Sequence, residues 1–321
     1  MISVIIPYYN PDADVHLEKL LERAVTSAER QSGKGLEVQT IIVDDGSPVP
    51  PHAVADRHPG VILKEAVHGR LGAARNRGLE IADGDLIAFL DADDYYFPDS
   101  LRQCADAIRK YDADLLSFNL TECSEEGLAQ HRTTEPVFEE PVNGRTYMEH
   151  YTPFGSSCRY LIKRSLLERY GLRFAENIYM EDEDFTPRLL FYSERFVVSD
   201  AAVYAYCRRN GSITMSGEYE ERSTSTITVL GRLVDFASTQ PAGQRGGLER
   251  KIRFLAMDHI RNTLRRPDWK NAIGVQTAIL SSIGLWPLKD AGYGTKFKLF
   301  SYLSRCDAGI RLLHLNELRY K

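Results

Sequence analysis

The sequence predicts an α/β fold: a mostly parallel sheet flanked by helices, followed by a mainly helical C-terminal region. Two observations carry this. Short apolar, β-rich runs at Ser3 to Asn10, Val38 to Ser47 and Asp85 to Leu90 alternate with 10–15-residue stretches of helical spacing, the pattern of βαβ units. The acidic and glycine residues fall at the carboxyl ends of those runs, where open α/β sheets bind their ligands.

The elements follow in order. The run Ser3 to Asn10 reads as a strand broken by Pro7. Asp14 to Gln31 places Leu17, Leu20, Leu21, Ala24 and Val25 at helical spacing, and Gly33 and Gly35 end it. The second strand runs into Asp44, Asp45 and Gly46, and Pro48, Pro50 and Pro51 mark the loop beyond. His68 to Gly78 is rich in glycine and arginine and reads as a segment just ahead of a helix. Asp99 to Tyr111 is a helix with Leu101, Cys104, Ala105 and Ile108 on one side, and Asp114 to Thr121 is a strand. Residues 122–145 lack periodicity and read as an acceptor-side loop or hairpin. Asn177 to Phe185 carries four consecutive acids ahead of a helical Thr186 to Tyr192, and Arg195 to Ala205 is β-rich. From about residue 216 the pattern is helical, broken at Gln240 to Gly247, with amphipathic stretches at Leu248 to Arg265 and Phe297 to Leu315. The expected division is a catalytic domain over 1–215, with a nucleotide-sugar half to about 100 and an acceptor half beyond, and a helical extension over 216–321.

The chemistry concentrates after the third strand, in Ile87 to Pro98, where an apolar run delivers Asp91, Asp93 and Asp94 into a turn. If the chain is still extended there, Asp91 and Asp93 project from one face. Two carboxylates at a strand's end form a hard oxygen site for Mg²⁺ or Mn²⁺ with positions left for a diphosphate. Taken alone, such a motif is more often an acidic turn after a buried strand.

With Pro7-Tyr-Tyr-Asn10, Val43-Asp-Asp-Gly-Ser47, Gly72-Ala-Ala-Arg-Asn-Arg-Gly78, Phe89-Leu-Asp-Ala-Asp-Asp94, Glu181-Asp182 and Tyr204-Ala-Tyr-Cys-Arg208 through Ser212-Ile-Thr214, the chain resembles family 2 glycosyltransferases. These are inverting, nucleotide-sugar-dependent enzymes of the GT-A (Rossmann-like) fold. The likeness covers roughly residues 1–215. It implies transfer of a sugar from a nucleoside diphosphate, UDP above all, to a hydroxyl of a glycan or lipid-linked glycan in cell-surface polysaccharide synthesis.

The resemblance implies roles residue by residue. Pro7 and Tyr9 supply a platform for the base, and Asp45 or Asp44 accepts its ring N–H, although Asp44 to Ser47 would also serve as a plain turn cap. Asp91 lies near the ribose, and Arg75 and Asn76 lie beside the nucleotide, unless Arg75 merely pairs with an acid. Asp93 holds the Mn²⁺ or Mg²⁺, with Asp91 as a second ligand. Asp182 is the general base, Glu181 a supporting acid and Asp184 a helix-start residue. Arg208 or Arg209, with Ser212 and Thr214, contacts the diphosphate. Relatives often carry a histidine near Asn210; its absence leaves a third metal ligand unassigned.

Composition bounds the rest. The chain of 321 residues is 43% hydrophobic and 26% charged, ordinary for a globular protein. Its net charge of −5 argues against nucleic acid as partner. Residues 241–321 carry 15 Lys and Arg against 6 Asp and Glu, a net +9 on an otherwise acidic chain. Basic amphipathic helices there suit either peripheral contact with an anionic membrane or packing on the catalytic core with a solvated basic face. Five widely spaced cysteines without a C-x-x-C fit free thiols in a reducing cytoplasm. No apolar stretch is long enough to span a bilayer and no signal peptide is evident. A nucleotidylyltransferase lacks support because Pro7 to Asn10 stands where a glycine-rich nucleotide loop would be. A silent nucleotide-sugar-binding protein would not need the full set of carboxylates.

Overall fold

The computed structural model describes residues 1–33, 35–124, 129–132 as backbone, 138, 140–208 and 219–318. The chain forms two compact units, Met1–Gly144 with Phe154–Gly217 and Arg145–Pro153 with Glu218–Lys321.

The first unit is built on a sheet of β1 (Ile2–Tyr8), β2 (Val38–Asp44), β3 (Ile62–Glu65), β4 (Leu86–Phe89), β5 (Tyr95–Tyr96), β6 (Leu115–Cys123), β7 (Ala129–Arg132), β8 (Tyr160–Lys163) and β9 (Phe196–Cys207). The order is β3-β2-β1-β4-β8-β6-β9-β5, with β7 on β6. The first four strands are mutually parallel, β8 is antiparallel to both β4 and β6, and β9 is parallel to β6. Six of the nine described strands therefore point one way. Every residue of β1 and β4 is buried, as expected of parallel strands covered on both faces.

Around the sheet lie α1 (Val15–Glu29), α2 (His52–Arg57), α3 (Arg70–Glu80), α4 (Ser100–Tyr111), α6 (Arg164–Arg169) and α7 (Glu181–Tyr192). Asp14 caps α1 by accepting from the His16 N–H at 2.8 Å. Leu20, Leu21, Ala24, Val25 and Ala28 of this helix are buried. Two glycines of α3 leave no room for a side chain, one against the sheet and one against the segment leading into α7. A Cβ on Gly78 would meet Ile5 at 2.3 Å, and one on Gly72 would meet the Ala175 carbonyl oxygen at 2.1 Å.

Several expectations need correction. β1 runs through Pro7 to Tyr8 without a break. Ile5 accepts from the Leu90 N–H and Tyr8 from the Asp45 N–H, so odd residues of β1 face β4 and even ones face β2. Pro7 is odd and lies beyond the paired span of β4, which ends at Phe89, so its missing N–H costs no ladder bond. The glycine- and arginine-rich segment does not stand ahead of the helix; from Arg70 onward it is α3 itself. The four acids at 181–184 do not precede their helix but form its first turn.

The second unit holds α5, which begins at the boundary (Gly144–His150), with α8 (Tyr219–Ser238), α9 (Gly246–Leu264), α10 (Trp269–Ser282), α11 (Thr295–Leu303) and α12 (Asp307–Glu317). The single stretch expected over Phe297 to Leu315 is thus two helices, broken at 304–306. A buried lysine, Lys251, donates to the Pro153 carbonyl at 2.8 Å, and Arg250 reaches the carbonyls of Met148 and Tyr151. All five cysteines are free thiols, four of them buried and Cys306 exposed.

Candidate active site

The chain leaves β1 toward β2 and β3, then returns to place β4 on β1's other side. The order reversal opens a crevice outside the carboxyl ends of these strands. Tyr9 and Asn10 enter it from β1, Asp45 from β2 and Asp91 to Asp94 from β4.

At the β2 end the two aspartates divide. Asp44 accepts from the Ser47 hydroxyl at 2.5 Å and faces the Ser47 N–H at 3.3 Å, which makes it a turn cap. Asp45 Oδ1 accepts from the Gly69 N–H at 2.9 Å, and Oδ2 lies 2.9 Å from His68 Nδ1. Burial pushes both carboxyls above their ordinary values, partly offset by these hydrogen bonds. Tyr9, 42% exposed, lies against the His68 ring with centroids 4.4 Å apart. Pro7 is buried inside the strand.

The β4 end is not extended. The Asp94 N–H donates to the Asp91 carbonyl at 3.0 Å, closing a turn, because the strand stops at Phe89. Asp91 and Asp93 therefore do not share a strand face, and the turn presents both half-buried carboxylates instead. Asp94 is buried, accepting from the Tyr204 hydroxyl and the Cys207 N–H, both at 2.7 Å. The same Tyr204 hydroxyl accepts from the Asp91 N–H at 3.1 Å. Arg23 of α1 donates to the Asp93 carbonyl at 2.6 Å. Tyr204 and Arg23 thus fix the turn, and neither was singled out by sequence reasoning. Tyr204 lay within a quoted motif; Arg23 left no signal.

Arg75 joins this turn to α7. Its guanidinium is buried, donates to Asp91 Oδ1 at 2.9 Å and meets Glu181 with its other terminal nitrogen. Burial works against its charge, but Asp91 and Glu181 outweigh that and raise its pKa. Asn76 is engaged elsewhere: its amide bonds the Phe174 carbonyl, the Phe174 N–H and Glu176 at 2.9–3.0 Å. With Gly72 it holds the segment leading into α7 against α3.

On α7, Asp182 is half-buried and accepts from the Glu183 N–H at 2.9 Å. Burial, then the neighbouring Glu181 and Glu183 carboxylates, push its carboxyl well above the ordinary range against the opposing pull of Arg75. Asp184 is fully buried and pairs with Arg188 at 2.5 Å. Arg208, at the end of β9, is exposed and pairs with Glu122 of β6 at 2.9 Å. Arg209, Ser212 and Thr214 lie outside the described residues.

The turn suits a divalent cation by its chemistry. Its donors are carboxylate oxygens, the ligands Mg²⁺ and Mn²⁺ prefer. Burial, then repulsion from Asp93 and Asp91, hold the Asp94 carboxyl well above its ordinary value. Among the described residues no three His, Cys, Asp or Glu side chains form a preformed cluster, so further ligands would come from substrate and water.

Residues 3–171, more than half of the chain, match the family described as glycosyl transferase family 2. A relative described as uncharacterized glycosyltransferase EpsJ of Bacillus subtilis is 27% identical over 228 residues, 67% of this chain and 63% of EpsJ. Poly(ribitol-phosphate) beta-N-acetylglucosaminyltransferase TarS of Staphylococcus aureus is 27% identical over 68% of this chain, which spans only 37% of TarS. The crystal structure of S. aureus TarS 1–349 in complex with UDP superposes with a TM-score of 0.71 at 19% identity, covering 99% of this chain and 90% of that one. Mannosyltransferase PcManGT of Pyrobaculum calidifontis, in complex with GDP-Man and Mn²⁺, gives 0.55 at 15% identity, covering 100% and 87%. Identities this low show the fold, which is of the GT-A type.

Proposed function

Because this chain belongs to glycosyl transferase family 2, we propose that it transfers a sugar from a nucleoside diphosphate, UDP foremost, to a hydroxyl of a glycan or lipid-linked glycan during polysaccharide synthesis. The observation that carries this reading is the Arg75 bridge. It brings the acidic turn after β4 and the acidic first turn of α7, distant in sequence, to one guanidinium. Transfer needs the donor and acceptor side by side, and this bridge draws the two acidic turns together.

In this reading Tyr9 and Asp45 receive the base and Asp91 the ribose. Asp93, with Asp91, would hold the Mn²⁺ or Mg²⁺, which when bound offsets the negative charge on the departing diphosphate. Asp182 takes the proton from the acceptor hydroxyl as that oxygen attacks the anomeric carbon. One displacement inverts the centre and needs a single base. A carboxyl held above its ordinary range is better matched to this proton transfer than an ordinary one. Glu181, tied to Arg75, supports it by position. Arg209, Ser212 and Thr214 are assigned to the diphosphate from sequence alone, together with Arg208.

We infer peripheral membrane contact through the C-terminal region. Leu299 and Tyr302 on α11 and Leu312 and Leu315 on α12 are exposed, interleaved with exposed Lys296, Lys298, Arg305 and Arg311. Apolar side chains among basic ones suit an anionic lipid surface. No described helix is long and apolar enough to cross a membrane.

The test is a panel of UDP-, GDP- and TDP-sugars with Mn²⁺ or Mg²⁺. Release of nucleoside diphosphate is expected. Release of pyrophosphate would identify a nucleotidylyltransferase, and failure of every donor to bind would sink the proposal.

A further inference from the structure

The base end of the crevice holds an arrangement the transfer reaction does not require. His68 lies on the link between β3 and α3 and is half-exposed, yet its ring is held. One face lies on Tyr9, with centroids 4.4 Å apart and planes 30° apart. Its Nδ1 is 3.1 Å from the Asp45 carbonyl oxygen and 2.9 Å from Asp45 Oδ2. Both neighbours are acceptors, so Nδ1 is the nitrogen that carries the hydrogen. The imidazole is thus a planar heteroaromatic ring, stacked on an aromatic platform and presenting a ring N–H to a buried aspartate. Uracil, thymine and guanine offer the same set of features, and cytosine and adenine lack the ring N–H.

The second observation is Asp45 itself. Oδ1 is occupied by the Gly69 N–H. Oδ2 is buried, with His68 Nδ1 standing 2.9 Å from it. A buried carboxylate oxygen is costly without a donor, and here the imidazole nitrogen takes that place. The backbone beneath His68 is pinned, because Gly69 donates to Asp45 and accepts from the Asn177 N–H at 3.1 Å. The side chain, half in solvent, is the part that can turn away.

We propose that His68 stands in for the nucleobase in the free protein, and that a base with a ring N–H displaces it from Tyr9 and Asp45 on binding. The inference rests on the nucleotide reading given above. Its consequence is that affinity is reduced by the fraction of molecules with His68 in place. His68 then weakens binding of every nucleotide and adds a barrier to those that cannot donate to Asp45.

Calorimetric titration of UDP and CDP into the full chain and its H68A variant, both with matched melting temperatures, reads this directly. The Kd for UDP is expected to fall in H68A by about three- to tenfold, the size of a conformational penalty of this kind. A Kd that rises in H68A would make His68 a recognition residue, and an unchanged Kd would make it a bystander; either overturns the proposal. If H68A does not fold, the His68 imidazole proton signals of the native chain decide. They should leave their ring-stacked positions as UDP saturates, and signals unmoved at saturation overturn displacement. If the native chain binds no UDP, GDP or TDP, the nucleotide reading falls and takes this one with it, an outcome distinct from the others.

Discussion

Arg75 and Glu181 stand 106 positions apart in the chain and meet through one buried ion pair. With the second arm of Arg75 on Asp91, this is where the strand-end half of the crevice and α7 become one site. Glu181 depends most on that cation, since its burial would otherwise leave it charged and uncompensated.

R75A should therefore destabilise the first unit by about 3–5 kcal/mol, the usual cost of removing one partner of a buried pair. Urea unfolding followed by tryptophan-independent far-UV signal measures it. A loss below about 1 kcal/mol would mean that water reaches the pair freely.

Replacing Asp182 separates binding from chemistry. D182N should bind the sugar nucleotide about as the native chain does and lower turnover on the order of 10²–10⁴-fold. The pH profile should show the same residue. A base works deprotonated, and Asp182 is held well above the ordinary carboxylate range, so activity should fall on the acid side at a pH well above that range. Near-normal transfer by D182N would move the assignment to a neighbouring acid of α7.

Asp93 is tested by the cation dependence of binding. D93N should weaken UDP binding in Mn²⁺ while leaving the residual binding in chelator unchanged, because only the ion loses an anionic ligand. Equal losses in both conditions would point to a contact with the nucleotide itself.

His58 gives a stability prediction independent of function. Its Nδ1 lies 2.6 Å from Glu29 and its Nε2 2.8 Å from Glu22. Burial opposes its charge, but these carboxylates outweigh it and hold its pKa above the usual histidine value. A raised folded-state pKa gives stability that is complete below the unfolded value of about 6.5 and lost as pH rises through the folded one. Melting temperature should thus drop more between pH 6 and pH 9 in the native chain than in H58Q, by differential scanning calorimetry.

For the membrane surface, the full chain should co-sediment with anionic vesicles at low salt. Association should decline as salt shortens the Debye length to about 8 Å and below. Substituting Leu312 and Leu315 with Ser should weaken it without affecting UDP binding. Equal recovery with neutral vesicles would overturn this contact.

Much of the fold was legible because its signals are local. The runs ending at Tyr8, Asp44 and Phe89 are apolar on both faces and stop at Asp, Gly or Asn, so they read as buried parallel strands. The helical spacing of α1 and α4 depends only on residues three and four apart. The order in which acids and glycines follow those strands was enough to identify the family. The sequence alone could not decide what each polar group faces. Asn76 reads as a ligand contact by its motif, yet its amide is consumed by Phe174 and Glu176, about a hundred residues away. Pro7 looks like a strand breaker until the end of β4 shows that no bond is lost there. Asp91 and Asp93 look like an alternating pair until the Asp94 N–H closes a turn beneath them. His68 is one residue in a glycine-rich stretch until β2 and the end of β1 place Asp45 and Tyr9 around it. Periodicity records which face of an element is dry, whereas hydrogen-bond partners and charge pairs are set by chain segments that only the folded sheet brings within 3 Å.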